Sequence, residues 1–65
     1  MSTHDIGEAI RRAREVAGLT QVVAAERAGM QQPDWSDYET GAQQPRIETL
    51  RRIAAALRVE PADLI

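Results

Sequence analysis

Apolar positions recur along most of the chain at intervals of three and four, the spacing of one face of an α-helix. From Asp5 to Ala17 they are Ile6, Ile10 and Ala13, with Asp5 placed to favour the dipole of a first helix. Arg14 follows Ile10 by four residues and so extends the apolar stripe, a costly place for a charge without a partner. Arg11 and Arg12 point away from it and read as a solvated face. Gly18 can end this helix, and Thr20 is a good N-cap for a second one, running through Val22, Val23, Ala24 and Ala25 to Ala28 and closed by Gly29. Pro33 belongs in the first turn of a third helix, where its missing amide hydrogen costs nothing. Counted at about 100° per residue from Trp35, Tyr38 and Glu39 face inward, and Pro33, Ser36, Asp37 and Thr40 face outward. Glu39 thereby becomes the predicted partner of Arg14. Gly41 ends this helix, and Ala42 to Pro45 form a polar loop. Ile47, Leu50, Ile53, Ala54 and Leu57 then mark a fourth helix, with Glu48 and Arg52 predicted to pair on its exposed side. Val59 to Ile65 reads as a last short helix with Pro61 in its first turn and an apolar end at Leu64 and Ile65.

The stretch from Gln21 to Tyr38, QVVAAERAGMQQPDWSDY, has the residue types two closely crossing helices require. Ala25 lets the backbones approach. Gly29 can take the left-handed conformation that redirects the chain, and Trp35 and Tyr38 seat the following helix. Those are the mechanics of a helix-turn-helix spanning residues 21–40. In sequence, LTQVVAAERAG resembles the first helix, and WSDYETG the end of the recognition helix, of the Cro/cI-type, or XRE-like, helix-turn-helix family. The likeness covers nearly the whole chain. It implies an all-α, compact five-helix domain of the lambda-repressor-like fold, a single domain over residues 1–65 with Met1 to His4 frayed. It also implies that Arg14 and Glu39 form a structural ion pair. The chain departs from the family at Ala24, where leucine is usual, and at Trp35, where an aliphatic residue is usual. The indole is expected to fill the volume the leucine leaves.

Composition narrows what such a domain can do. Sixty-five residues bury only roughly 60% of the surface of the unfolded chain, and with no cysteine neither a disulfide nor a cysteine-held zinc can staple the fold. Catalysis has almost no raw material: the one histidine, His4, lies on the expected frayed end, and there is no cysteine, lysine or glycine-rich phosphate loop. No enzymatic activity, metal or cofactor is therefore expected. No apolar run reaches the roughly 18 residues of a membrane span and the start, MSTHDIGE, is unlike a secretory signal, so the expected location is cytoplasmic. The formal net charge of −2 is unusual for a nucleic-acid binder. Every basic residue is arginine, however, whose planar fork grips phosphate well, so placement matters more than the sum.

The resemblance implies that Gln21 touches DNA backbone from the start of the second helix, where free amides also favour an anion. Arg46 stands where the family commonly has a capping serine, and it and Arg11 are the further backbone candidates. Gln32, Pro33, Ser36, Asp37 and Thr40 are the candidate base readers, with Gln32 able to bond adenine through paired hydrogen bonds. Asp37 is open to two readings, repelled by phosphate or accepting a hydrogen bond from cytosine N4. The expected function is sequence-specific DNA binding by a transcriptional regulator, more specifically a repressor, acting as a homodimer on an inverted repeat. The alternative is a protein-interaction module of the same fold. It would use the acidic helix, or an apolar patch if Val16 and Val22 lie together, to bind a regulator or a toxin.

Overall fold

The computed structural model describes residues 5–65, so the expected fraying of Met1 to His4, and His4 itself, lie outside the described residues. Four α-helices follow in order: α1 (Ile6–Val16), α2 (Gln21–Ala28), α3 (Gln32–Thr40) and α4 (Ile47–Leu57). The expected fifth helix is a single 3-10 turn, Pro61–Leu64. Pro61 supplies no amide donor, and so short a segment closes through i to i+3 bonds such as Asp63 N to Glu60 O at 2.9 Å.

The helix ends are set by single residues. Asp5 Oδ1 accepts from Glu8 N at 3.1 Å and Thr20 Oγ1 from Val23 N at 3.2 Å, so both are N-caps. Gly29 closes α2 at φ 72° and ψ 34°, and Met30 N returns to Ala25 O at 2.9 Å. That left-handed step ends α2 and redirects the chain into α3. Pro33 stands in the first turn of α3.

Helix α1 packs on α3, α2 on both α3 and α4, and the 3-10 turn rests on α1 and α4. Ile10, Trp35, Ile53 and Leu64 are the large side chains sealed from solvent. The inner face of α2 is Ala24, Ala25 and Ala28, all buried in the same cluster as Trp35. Small residues on α2 and a large one on α3 thus share one core. Gly7 has the tightest surroundings of the four glycines: a Cβ there would stand 2.4 Å from Glu39 O and 2.6 Å from Tyr38 O. Its missing side chain brings α1 against the C-terminal carbonyls of α3.

Two expectations for α4 are corrected. Ile47 is 61% exposed, because it opens the helix next to a loop that is itself exposed and lays nothing over it. Arg52 does not pair with Glu48. Its Nε and Nη2 donate to Ala28 O at 3.0 and 2.8 Å, and Nη2 also to Gly29 O at 2.8 Å. The carbonyls ending α2 carry the negative pole of that helix and lack intrahelical partners. A partly buried, charge-assisted contact with them outweighs a solvated i, i+4 pair worth about 0.3–0.5 kcal/mol.

Candidate nucleic-acid interface

The centre of the site is the Glu39 carboxylate, with its side chain only 3% exposed. Arg14 holds it with Nε on Oε2 at 2.6 Å and Nη2 on Oε1 at 3.2 Å, the predicted ion pair. The indole Nε1 of Trp35 adds a bond to Oε2 at 2.6 Å, and Gln21 Nε2 one to Oε1 at 2.9 Å. A carboxylate offers about four acceptor sites, and these donors occupy all of them. Burial by itself would push the Glu39 carboxyl up. The hydrogen bonds from Arg14, Trp35 and Gln21, with the Arg14 charge, outweigh it and hold the group below its ordinary value. The hydrogen bond to Glu39 likewise holds the Arg14 guanidinium above its usual range. Its remaining nitrogen, Nη1, donates to Leu19 O at 2.9 Å and ties down the loop ahead of α2.

From Glu39 the hydrogen bonds run outward to the start of α3. Gln21 Oε1 accepts from Gln32 Nε2 at 2.8 Å. The amide of Gln21 is thereby joined on both sides, with one N–H left over. Gln32 keeps its Oε1 and its second N–H clear, and both side chains lie half-buried at the rim where α2 and α3 begin. Pro33 and Thr40 are exposed, and Ser36 and Asp37 half-buried.

The far end of α3 is engaged with the loop that follows. Asp37 Oδ2 accepts from Gln43 Nε2 at 3.0 Å, and Thr40 Oγ1 donates to Asp37 O at 3.3 Å and accepts from Ala42 N at 3.4 Å. Gln43 was not among the sequence candidates, yet it holds the Asp37 carboxylate and shapes the loop toward Arg46. Arg46 is the N-cap residue of α4, exposed and without a side-chain cap. The amides of residues 47–49 precede the first bond of that helix, Leu50 N to Arg46 O at 2.7 Å, and so have no partner within it, the arrangement that favours an anion at a helix N-terminus.

Arg11 and Arg12 are not bare cations. Arg11 bonds Glu8 at 2.6 Å and Glu15 at 3.1 Å, and Arg12 bonds Glu8 at 3.1 Å. The Glu8 hydrogen bond and charge raise the Arg11 guanidinium further above its usual range. Arg11 would have to leave both acids to reach a phosphate. Val16, 90% exposed, borders an apolar groove with Leu57, Val59, Leu64 and Ile65, whereas Val22 lies outside that groove.

Two helices, joined by a left-handed glycine and tied together through a shared carboxylate, define a helix-turn-helix of the Cro/cI type. The chain belongs to the helix-turn-helix domain family, whose model matches residues 5–64. It is 44% identical over 53 residues to an HTH-type transcriptional regulator of Mycobacterium tuberculosis, covering 82% of this chain and 38% of that protein. The chain thus spans well under half the length of the curated relatives it matches. Among solved structures it is similar to the DNA-binding domain of the P22 c2 repressor in solution, with a TM-score of 0.94 at 28% identity over 98% of this chain and 84% of that one. The P22 c2 repressor bound to a synthetic operator gives 0.88 at 27% identity, over 97% and 96% of the two chains. The restriction-modification controller protein C.AhdI from Aeromonas hydrophila gives 0.91 at 26%, over 94% and 92%.

Proposed function

We propose that this domain is the DNA-reading part of a transcriptional regulator, more specifically a repressor, that lays α3 in the major groove of an operator half-site. The observation that carries the reading is the Gln21–Gln32 pair at the entrance to α3. Gln32 offers one carbonyl oxygen and one N–H outward, which match the N6–H donor and N7 acceptor of adenine. The spare N–H of Gln21, the free amides that open α4, and the guanidinium of Arg46 grip phosphate on either side, with Arg11 as a further contact. Pro33, Ser36, Asp37 and Thr40 complete the face toward the bases. Asp37, steadied by Gln43, accepts from a cytosine amine where one is in reach. A homodimer places two such faces on an inverted repeat with half-sites about 34–36 Å apart.

The likeness to the operator-bound P22 c2 repressor supports this reading, as does the low content of chemistry-bearing side chains. Among the described residues no helix is long and apolar enough to cross a membrane, and the working compartment we infer is the cytoplasm.

One observation favours a second reading. Helix α3 carries Asp34, Asp37 and Glu39 and no basic residue, as a surface for a protein partner such as a regulator or toxin would. The test is selection from a randomised duplex pool at about 50 mM and 200 mM salt. Enrichment of a two-fold symmetric site that persists at the higher salt supports the DNA reader. Retention of nothing by folded protein at either salt refutes it. Asp37→Arg separates the two readings further: a protein-binding module gains non-specific DNA binding, whereas a DNA reader changes its preferred site.

A further inference from the structure

The direction of the hydrogen bonds at the site carries information beyond its stability. An ionised carboxylate only accepts, so whatever faces Glu39 must donate. Gln21 therefore turns its NH2 to Glu39 Oε1 and its carbonyl away. Gln32 must then donate to that carbonyl, and does, through Nε2. What Gln32 has left is an oxygen and one hydrogen. Were the sequence of bonds reversed, with Gln21 NH2 donating to Gln32 Oε1, Gln32 would show two hydrogens outward. Two donors match the paired acceptors O6 and N7 of guanine. The choice between the two faces of one glutamine is made at a buried acid two side chains away.

We propose that Glu39 is a specificity-positioning residue, whose carboxylate, filled by Arg14 and Trp35 on its other sites, sets the polarity of the Gln21–Gln32 chain and so selects adenine over guanine. Trp35 takes part because its indole N–H removes the only other place on Oε2 to which Gln21 could turn. The inference rests on the reading of Gln32 as a base contact. It adds that the base read by Gln32 is decided by a group that never touches DNA.

The test uses the site recovered by duplex selection and two readouts from each variant: overall affinity, and the ratio of affinities for duplexes with A·T or G·C at one position. Gln32→Ala identifies that position by levelling it alone. Wild-type protein prefers A·T there by roughly tenfold or more. Gln21→Met cuts the chain of bonds and leaves the Arg14–Glu39–Trp35 contacts intact. It brings the ratio to within about twofold of unity, while any lost phosphate contact lowers both affinities equally. The double variant Arg14→Met with Glu39→Gln removes the ion pair without stranding either charge, and permits the reversed polarity. Its ratio moves toward guanine. Fluorescence of the single tryptophan, Trp35, reports that each variant retains its core.

An unchanged A·T preference in folded Gln21→Met protein overturns the proposal while leaving Gln32 as a reader. A Gln32→Ala variant that keeps every base preference of the wild type overturns the reading of Gln32 itself, and this inference with it.

Discussion

Replacing Arg14 by methionine tests the centre of the fold, because it removes one member of an ion pair and leaves the other inside. Glu39 would lose the bonds of 2.6 and 3.2 Å and keep only Trp35 and Gln21 as donors. Stranding a buried charge in this way costs about 3–5 kcal/mol. A domain of this size has a total stability of roughly 3–10 kcal/mol, so the loss is a large share of it. At about 4–8 °C per kcal/mol, the midpoint of thermal unfolding should fall by at least about 12 °C. Urea titration followed by Trp35 fluorescence gives the same quantity at constant temperature. The companion variant, Arg14→Met with Glu39→Gln, removes both charges while keeping an acceptor for the Trp35 indole N–H, and should recover most of the loss. Acid supplies a second signature. The folded Glu39 carboxyl is held below its ordinary value. Its contribution is therefore fully present above the unfolded value of about 4.3, and is lost as pH falls through the lower folded one. Without Arg14 that hold is gone and burial raises the group, so the gap between wild type and Arg14→Met narrows on acidification. A single variant within about 1 kcal/mol of wild type at neutral pH, or a gap that widens in acid, would refute the reasoning.

Three substitutions test the helix contacts. Gly7→Ala puts a methyl into backbone carbonyls at 2.4 and 2.6 Å, so α1 must lift off α3 at a cost of about 2 kcal/mol or more; calorimetry showing an unchanged or raised melting point would contradict the close approach. Arg58 ends α4 at φ 58°, a left-handed conformation that costs a side-chain-bearing residue about 1 kcal/mol. Arg58→Gly should thus raise the melting point by a few degrees, roughly 2–8 °C, and a lower one counts against strain at that site. Arg52→Met frees the carbonyls of Ala28 and Gly29 and should cost about 1–2 kcal/mol in urea. If Arg52 acted through Glu48 instead, Glu48→Gln would cost as much, and here it should cost almost nothing.

The parts of the fold that could be read from the residues are those in which one side chain acts on its own neighbourhood. Asp5, Thr20 and Gly29 cap helices through bonds to the chain within a few residues, so their types announce their work. Arg14 and Glu39 are legible as a pair because each stands charged on the inner face of its helix, and the structure joins them at 2.6 Å. What stayed hidden depends on which backbone a side chain meets. Arg52 finds the end of α2, whose carbonyls leave no mark in the sequence. Gly7 had a visible signal, a glycine inside a helix, where close backbone approach is the usual reason for accepting the lost propensity. The bonds that link Gln21 to Gln32 and Gln43 to Asp37 join polar residues whose side chains have many rotamers, and only the assembled helices choose among them.

The arginines also decide how strongly salt should act on binding. Arg14 and Arg52 are committed within the fold, and Arg11 and Arg12 are neutralised by Glu8 and Glu15. Helix α3 brings Asp34 and Asp37 and no cation. Arg27, Arg51 and Arg58 are exposed but stand away from the start of α3 and the loop before α4 in the chain. Arg46 is the guanidinium set at the N-cap of α4, with Arg11 joining it only by giving up two acids. Each domain therefore neutralises about one or two phosphates. With a slope near −0.9 per phosphate in log affinity against log salt, a dimer on its two half-sites neutralises about two to four. It should lose between about tenfold and a hundredfold in affinity from 50 to 200 mM salt. Proteins with dense basic faces lose about a thousandfold or more over that range. Titration of a fluorescent operator duplex at several salt concentrations measures the slope. A loss beyond about ten-thousandfold would require roughly eight cations at the interface, more than these helices hold in reach. A flat response with measurable binding would instead mean that neither Arg46 nor Arg11 meets the backbone, and that amide donors and base contacts hold the duplex alone.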